Sequence, residues 1–84
     1  MTQNPVTPRE PARVLDCRGK RCPIPVIELA RAITAIEIGA MLRVIADDPA
    51  AAHDIAAWCR MRGHEFAGGT TVADSPAFDV IRCG

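Results

Sequence analysis

Between Pro23 and about Glu37, Val26, Leu29, Ala30, Ile33 and Ile36 recur at helical spacing, with Glu28, Arg31 and Thr34 on the other side. That pattern predicts an amphipathic helix, which Gly39 ends. Ahead of it, Ala12 to Cys17 alternates loosely through Val14 and Leu15 and predicts a short strand running into the loop Asp16–Arg21. Met41 to Ala46 is rich in strand formers, and Asp47-Asp48-Pro49 marks a second strand-to-helix junction, with Asp48 as N-cap and Pro49 at the first helical position. Ala51, Ile55, Trp58, Cys59 and Arg62 then lie near one helical face, up to Gly63 as C-cap. His64 to Val72, interrupted by Gly68-Gly69, and Ala77 to Cys83 read as two closing strands around a turn at Asp74-Ser75-Pro76.

The order β-α-β-α-β-β predicts an α/β (α+β) two-layer sandwich: a mixed four-stranded sheet with a parallel pair, both helices covering one face. If the first two strands are parallel, their C-terminal ends share one edge of the sheet, where open α/β sheets usually take ligands. Cys22 and the pair Asp47, Asp48 are then neighbours despite their separation in sequence.

With 84 residues and 49% apolar side chains the chain has material for one modest core. Residues 12–84 are read as a single domain, and residues 1–11, with Pro5, Pro8 and Pro11 and no apolar run, as a disordered tail rather than a signal peptide. No segment has the length of a membrane span, and the chain reads as a cytoplasmic protein. Ten Lys and Arg balance ten Asp and Glu, and there are two Phe, one Trp and no Tyr. Neither a phosphate-tracking charge nor stacking platforms are present, which argues against direct nucleic-acid binding. Cys17, Cys22, Cys59 and Cys83 lack the spacing of a disulfide scaffold or, with His53 and His64, of a zinc site; reduced thiols and no metal are expected.

Chemistry concentrates at one of these thiols. Cys22-Pro23-Ile24-Pro25 follows the basic loop Arg18-Gly19-Lys20-Arg21 and opens the first helix. Pro23 suits the first helical position, Pro25 still falls in the first turn, and Gly19 suits a tight loop. A helix N-terminus and the cations Arg18, Lys20 and Arg21 favour a thiolate, so Cys22 is expected to ionise below the ~8.5 of a free cysteine and to act as a nucleophile. Lys20, Asp47 and Asp48 are candidates for partner docking at the same rim. Cys17, five residues upstream, is a candidate resolving thiol. Cys59 reads as a small core residue, Cys83 as a spectator, and His53 and His64 as structural.

Leu15-Asp16-Cys17-Arg18-Gly19 followed by Cys22-Pro23-Ile24-Pro25-Val26 resembles the signature of the TusA/SirA sulfur-carrier family. The likeness continues through Ala46-Asp47-Asp48-Pro49-Ala50, Asp54-Ile55, Trp58-Cys59 and Gly63-His64-Glu65. Lys20, where an apolar residue is more usual, and Cys83, where a basic one is common, depart from it. The resemblance implies a sulfurtransferase of the carrier type. Cys22 would accept sulfur as a persulfide from a cysteine desulfurase or another sulfurtransferase and pass it to an acceptor protein, without a metal or organic cofactor. The product would belong to tRNA thiolation, the molybdenum cofactor or sulfur metabolism. The alternative function is a redox-sensing or soft-metal-binding regulatory module, which needs a second thiol or ligand beside Cys22.

Overall fold

The computed structural model describes residues 10–84. The expected tail therefore lies outside the described residues, apart from Glu10 and Pro11, which belong to no helix or strand. The elements are β1 (Arg13–Asp16), α1 (Ile24–Ala32) continued by a 3-10 turn (Ile33–Ala35), β2 (Met41–Ile45), α2 (Ala51–Arg62), β3 (Glu65–Val72) and β4 (Ser75–Ile81). The strands form one mixed sheet in the order β1-β2-β4-β3, with β1 and β2 parallel and the other pairs antiparallel.

Strand alternation decides which face is covered. Leu42 and Val44 of β2, Leu15 of β1 and Val80 of β4 join Leu29, Ile33, Ile36, Ile55 and Trp58 from the helical side in one core cluster. On the opposite face, Arg43 of β2 pairs with Asp79 directly across on β4, Nε to Oδ1 at 2.7 Å and Nη2 to Oδ2 at 3.0 Å. The two-layer expectation holds, with both helices on one face.

Several boundaries differ from expectation. The first helix gives way at Ile33, well short of Glu37. Ile33 and Thr34 are β-branched and weak helix formers; the Thr34 hydroxyl turns back onto the Arg31 carbonyl at 3.2 Å, and the Arg82 guanidinium takes the Thr34 and Ile36 carbonyls at 3.3 and 2.6 Å. The buried stripe also takes in Pro25 and Ala32, while Val26 and Ala30 are only partly buried. The closing turn sits at Ala73 and Asp74, both at positive φ, so Ser75 and Pro76 already belong to β4, which ends at Ile81 before reaching Cys83. Two consecutive left-handed residues are what the type I′ turn of a two-residue hairpin demands. On α2, Ala51, Ile55, Trp58 and Cys59 are buried as expected, but Arg62 is exposed at the last turn. Gly63 closes that helix at φ +80°, its N–H on the Cys59 carbonyl, and the Gly68 interruption is a bulge in β3.

Candidate functional site

The C-terminal ends of β1 and β2 lie side by side, Asp16 opposite Ile45, and the loops beyond them meet. Two backbone donors of the first loop are received by the second. Gly19, at φ +79°, donates its N–H to Asp47 Oδ1 at 3.0 Å, and Cys22 donates its N–H to Asp48 Oδ2 at 2.7 Å. The neighbourhood expected of Cys22, Asp47 and Asp48 is present, and both carboxylates knit the loops together. Asp48 also accepts the Ala50 N–H at 2.9 Å through Oδ1. It caps a turn just ahead of α2; the helix itself begins at Ala51 with Ala50 as cap residue, so Pro49 lies before the helix rather than at its first position.

Pro23 is likewise displaced by one place. The Ile24 N–H closes a turn on the Arg21 carbonyl at 2.8 Å, which leaves Pro23 as the cap residue of α1 and Pro25 in the first turn, fully buried. Cys22 stands ahead of that cap, exposed, while Cys17 and Cys59 are buried.

The expected electrostatics are reversed. The Arg18 guanidinium is held by Asp16, Nε to Oδ1 at 2.8 Å and Nη2 to Oδ2 at 2.6 Å, which draws the Asp16 carboxyl down to about 2. The Lys20 ammonium lies 2.7 Å from Glu28 Oε2, and Arg21 acts on Asp48. What faces the sulfur is a carboxylate: the Cys22 thiol donates to Asp54 Oδ2 at 2.6 Å. That hydrogen bond above all, with desolvation and the charges of Asp54 and Asp48, raises the Cys22 thiol above its ordinary range rather than lowering it.

Cys17 is fully buried, its Sγ 3.8 Å from Glu28 Oε1, and burial followed by the Glu28 charge raises its thiol. A resolving thiol needs access, which buried Cys17 lacks in the folded chain. Burial pushes Cys59 up to about 11, in keeping with a core role. Cys83 is exposed beyond β4, at the end of the sheet opposite Cys22, as the pairing of Ile81 with Met41 and of Ala77 with Ile45 requires. His64 is structural: its ring stacks on Trp58 at 5.3 Å between centroids, and its Nδ1 accepts the Cys83 N–H at 3.1 Å.

Cys22 sits between two shallow depressions of about 260 Å³ each. One is polar, lined by Gly19, Lys20, Arg21, Asp47, Asp48 and Pro49. The other is more apolar and runs from Cys22 and Pro23 over Val26 to Ala57, Trp58 and Met61, the last 77% exposed. An accessible thiol at the meeting point of two loops and two helices can exchange sulfur with a thiol brought in by another protein.

A family profile described as sulfurtransferase TusA matches residues 13–74. The chain belongs to that family. The crystal structure of a SirA-like protein from Desulfitobacterium hafniense has the same fold, with a TM-score of 0.73 over 86% of this chain and 99% of that one at 19% identity. Sulfur transfer is thus the general role in which this TusA-family site is to be read. Sequence reasoning missed Asp54, because it looked for the charges nearest in sequence. The available signal was an acidic residue in the first turn of α2, a helix that begins at the same sheet edge as Cys22.

Proposed function

We propose that this chain is a sulfur carrier in which Cys22 takes up sulfur as a persulfide from a cysteine desulfurase or another sulfurtransferase and hands it to an acceptor protein. The observation that carries the reading is the position of Cys22. It is an exposed thiol at the shared edge of β1 and β2, fixed through its backbone by Asp48, while the nearest cysteine in sequence is buried. Pro23 and Pro25 stiffen the backbone behind it, and Gly19 allows the preceding loop to close onto Asp47.

The exchange needs two docking events and no independent turnover. Cys22 attacks the outer sulfur of the donor's persulfide, and the donor's inner sulfur leaves as a thiol; the acceptor's thiol later attacks the outer sulfur on Cys22 in the same way. Lys20, Asp47 and Asp48 on one side and the apolar depression on the other offer the surfaces against which two proteins can seat. No metal or organic cofactor takes part, and neither nucleic acid nor a membrane is a direct partner. The carrier works in the cytoplasm, where thiols stay reduced. The delivered sulfur enters tRNA thiolation, molybdenum-cofactor synthesis or sulfur metabolism. A redox-sensing or soft-metal role is less supported, because Cys22 faces a carboxylate and Cys17 lies in the core.

Incubation with a cysteine desulfurase and cysteine, followed by non-reducing peptide mass spectrometry, tests the assignment. The added sulfur is expected on the Cys22 peptide and is expected to vanish in Cys22→Ser; uptake that survives this substitution overturns it.

A further inference from the structure

The Cys22 sulfur is accessible, yet it is not free. Sγ and Asp54 Oδ2 are 2.6 Å apart, joined across 32 residues of chain. An ionised carboxylate only accepts, so the contact lasts only while the sulfur carries its proton. Most of the other charged groups around the thiol are engaged elsewhere. Asp48 is occupied with the Cys22 and Ala50 amides, Arg21 acts on Asp48, and Arg18 and Lys20 are held by Asp16 and Glu28. His53, on α2, lines the same apolar depression, and α1 brings no charged group into it. Among the described residues no cation pairs with Asp54.

We propose that Asp54 is a positioning residue that holds unloaded Cys22 as a protonated thiol aimed at α2, and that loading with sulfur breaks this contact and turns the Cys22 side chain outward. This rests on the sulfur-carrier reading. In the loading step a bond forms between Cys22 Sγ and the donor's outer sulfur, and the donor's S–S bond breaks. Its electron pair stays on the donor's inner sulfur, which receives the proton that leaves Cys22. No oxidant or reductant is consumed. Afterwards Sγ is bonded to carbon and sulfur and has no hydrogen left to donate. Two groups that bear only lone pairs do not remain in hydrogen-bond contact. An ionised outer sulfur is further repelled by the carboxylate. The empty carrier thus presents a tucked, quiet thiol, and the loaded one presents an outward sulfur, so that donor and acceptor meet different faces of the same residue.

The test compares iodoacetamide alkylation of Cys22, resolved by peptide mass spectrometry across pH, in the parent, Asp54→Asn and Asp54→Glu. Removing the charge in Asp54→Asn is expected to move the rate profile to lower pH and to speed alkylation at pH 7 several-fold; Asp54→Glu is expected to keep the parent profile. An Asn profile that overlays the parent's overturns the proposal. As a second readout that needs no variant, the Asp54 side-chain carboxyl resonance is expected to shift when the parent is loaded by a desulfurase, and a resonance that stays put contradicts it. The alkylation arm uses no sulfur donor. Uptake surviving in Cys22→Ser would remove the carrier reading and the outward turn on loading with it, whereas normal loading with an unmoved Asn profile would remove this inference alone.

Discussion

The backbone N–H of Cys22 donates to Asp48 Oδ2 at 2.7 Å, across 26 residues of chain. The other oxygen of the same carboxylate takes the Ala50 N–H at 2.9 Å. One side chain therefore fixes the residue ahead of α1 and the turn ahead of α2, and the two amides hold the Asp48 carboxyl below its usual range. The position of the sulfur is set from behind, through the main chain.

Asp48→Ala is accordingly expected to loosen the loop while leaving the sheet and helices in place. Amide exchange at Cys22 and Ala50 should quicken several-fold, with an unchanged circular dichroism spectrum and reduced sulfur uptake. Unaltered exchange at Cys22 would show that the loop is held by something else.

The four thiols should separate into two classes. Cys22 and Cys83 are exposed, whereas Cys17 and Cys59 are buried, and burial raises both, Cys59 to about 11. Iodoacetamide treatment at pH 8 is expected to label Cys83 quickly and Cys22 more slowly, and to spare the second pair until denaturant is added. Cys17→Ala is expected to load and release sulfur as the parent does.

Ile55 has no exposed surface and lies against the sheet in the central cluster. Ile55→Ala should cost about 3 kcal/mol, a large part of the stability of a domain of this size, read as a lower urea midpoint. A midpoint within error of the parent's would mean that the core is packed elsewhere.

Asp16 gives the fold a pH signature. Its folded carboxyl titrates at about 2, chiefly through the Arg18 hydrogen bonds, below the value of the unfolded chain. The folded state thus binds this proton less readily than the unfolded one. The contribution is present above the ordinary carboxylate range and is lost as pH falls toward 2. A carbon-detected titration should place the Asp16 midpoint there, and Arg18→Gln should return it toward the ~3.9 of an unperturbed aspartate.

Much of this architecture is legible in the chain, because the elements follow local rules: the period of α1, the Asp-Pro junction before α2 and Gly63 past its end. Where local rules compete, the reading drifts. Ile33 and Ile36 continue the helical period past Ala32, but Arg82, almost fifty residues on, takes the carbonyls that a longer helix would need. The site divides in the same way. Cys22 and its neighbourhood with Asp47 and Asp48 follow from two parallel strands. The sign of the Cys22 shift does not, since it depends on which charges face the sulfur. Arg18 and Lys20 lie near it in sequence, yet Asp16 and Glu28 hold them. Lys20 is taken up by that Glu28 pair, while Asp54 reaches the thiol from another helix.

Whether Cys22 alone carries sulfur is decided by a single-turnover transfer. A variant retaining Cys22, with Cys17, Cys59 and Cys83 changed to Ala, is loaded with labelled sulfur by a desulfurase, separated from it and weighed intact before an acceptor thiol is added. One added sulfur atom per chain is expected, with its loss on addition of the acceptor and no loading when Cys22 is the one cysteine removed from the parent. Label that fails to load onto the Cys22-only chain, or that loads onto the chain lacking Cys22, would contradict it.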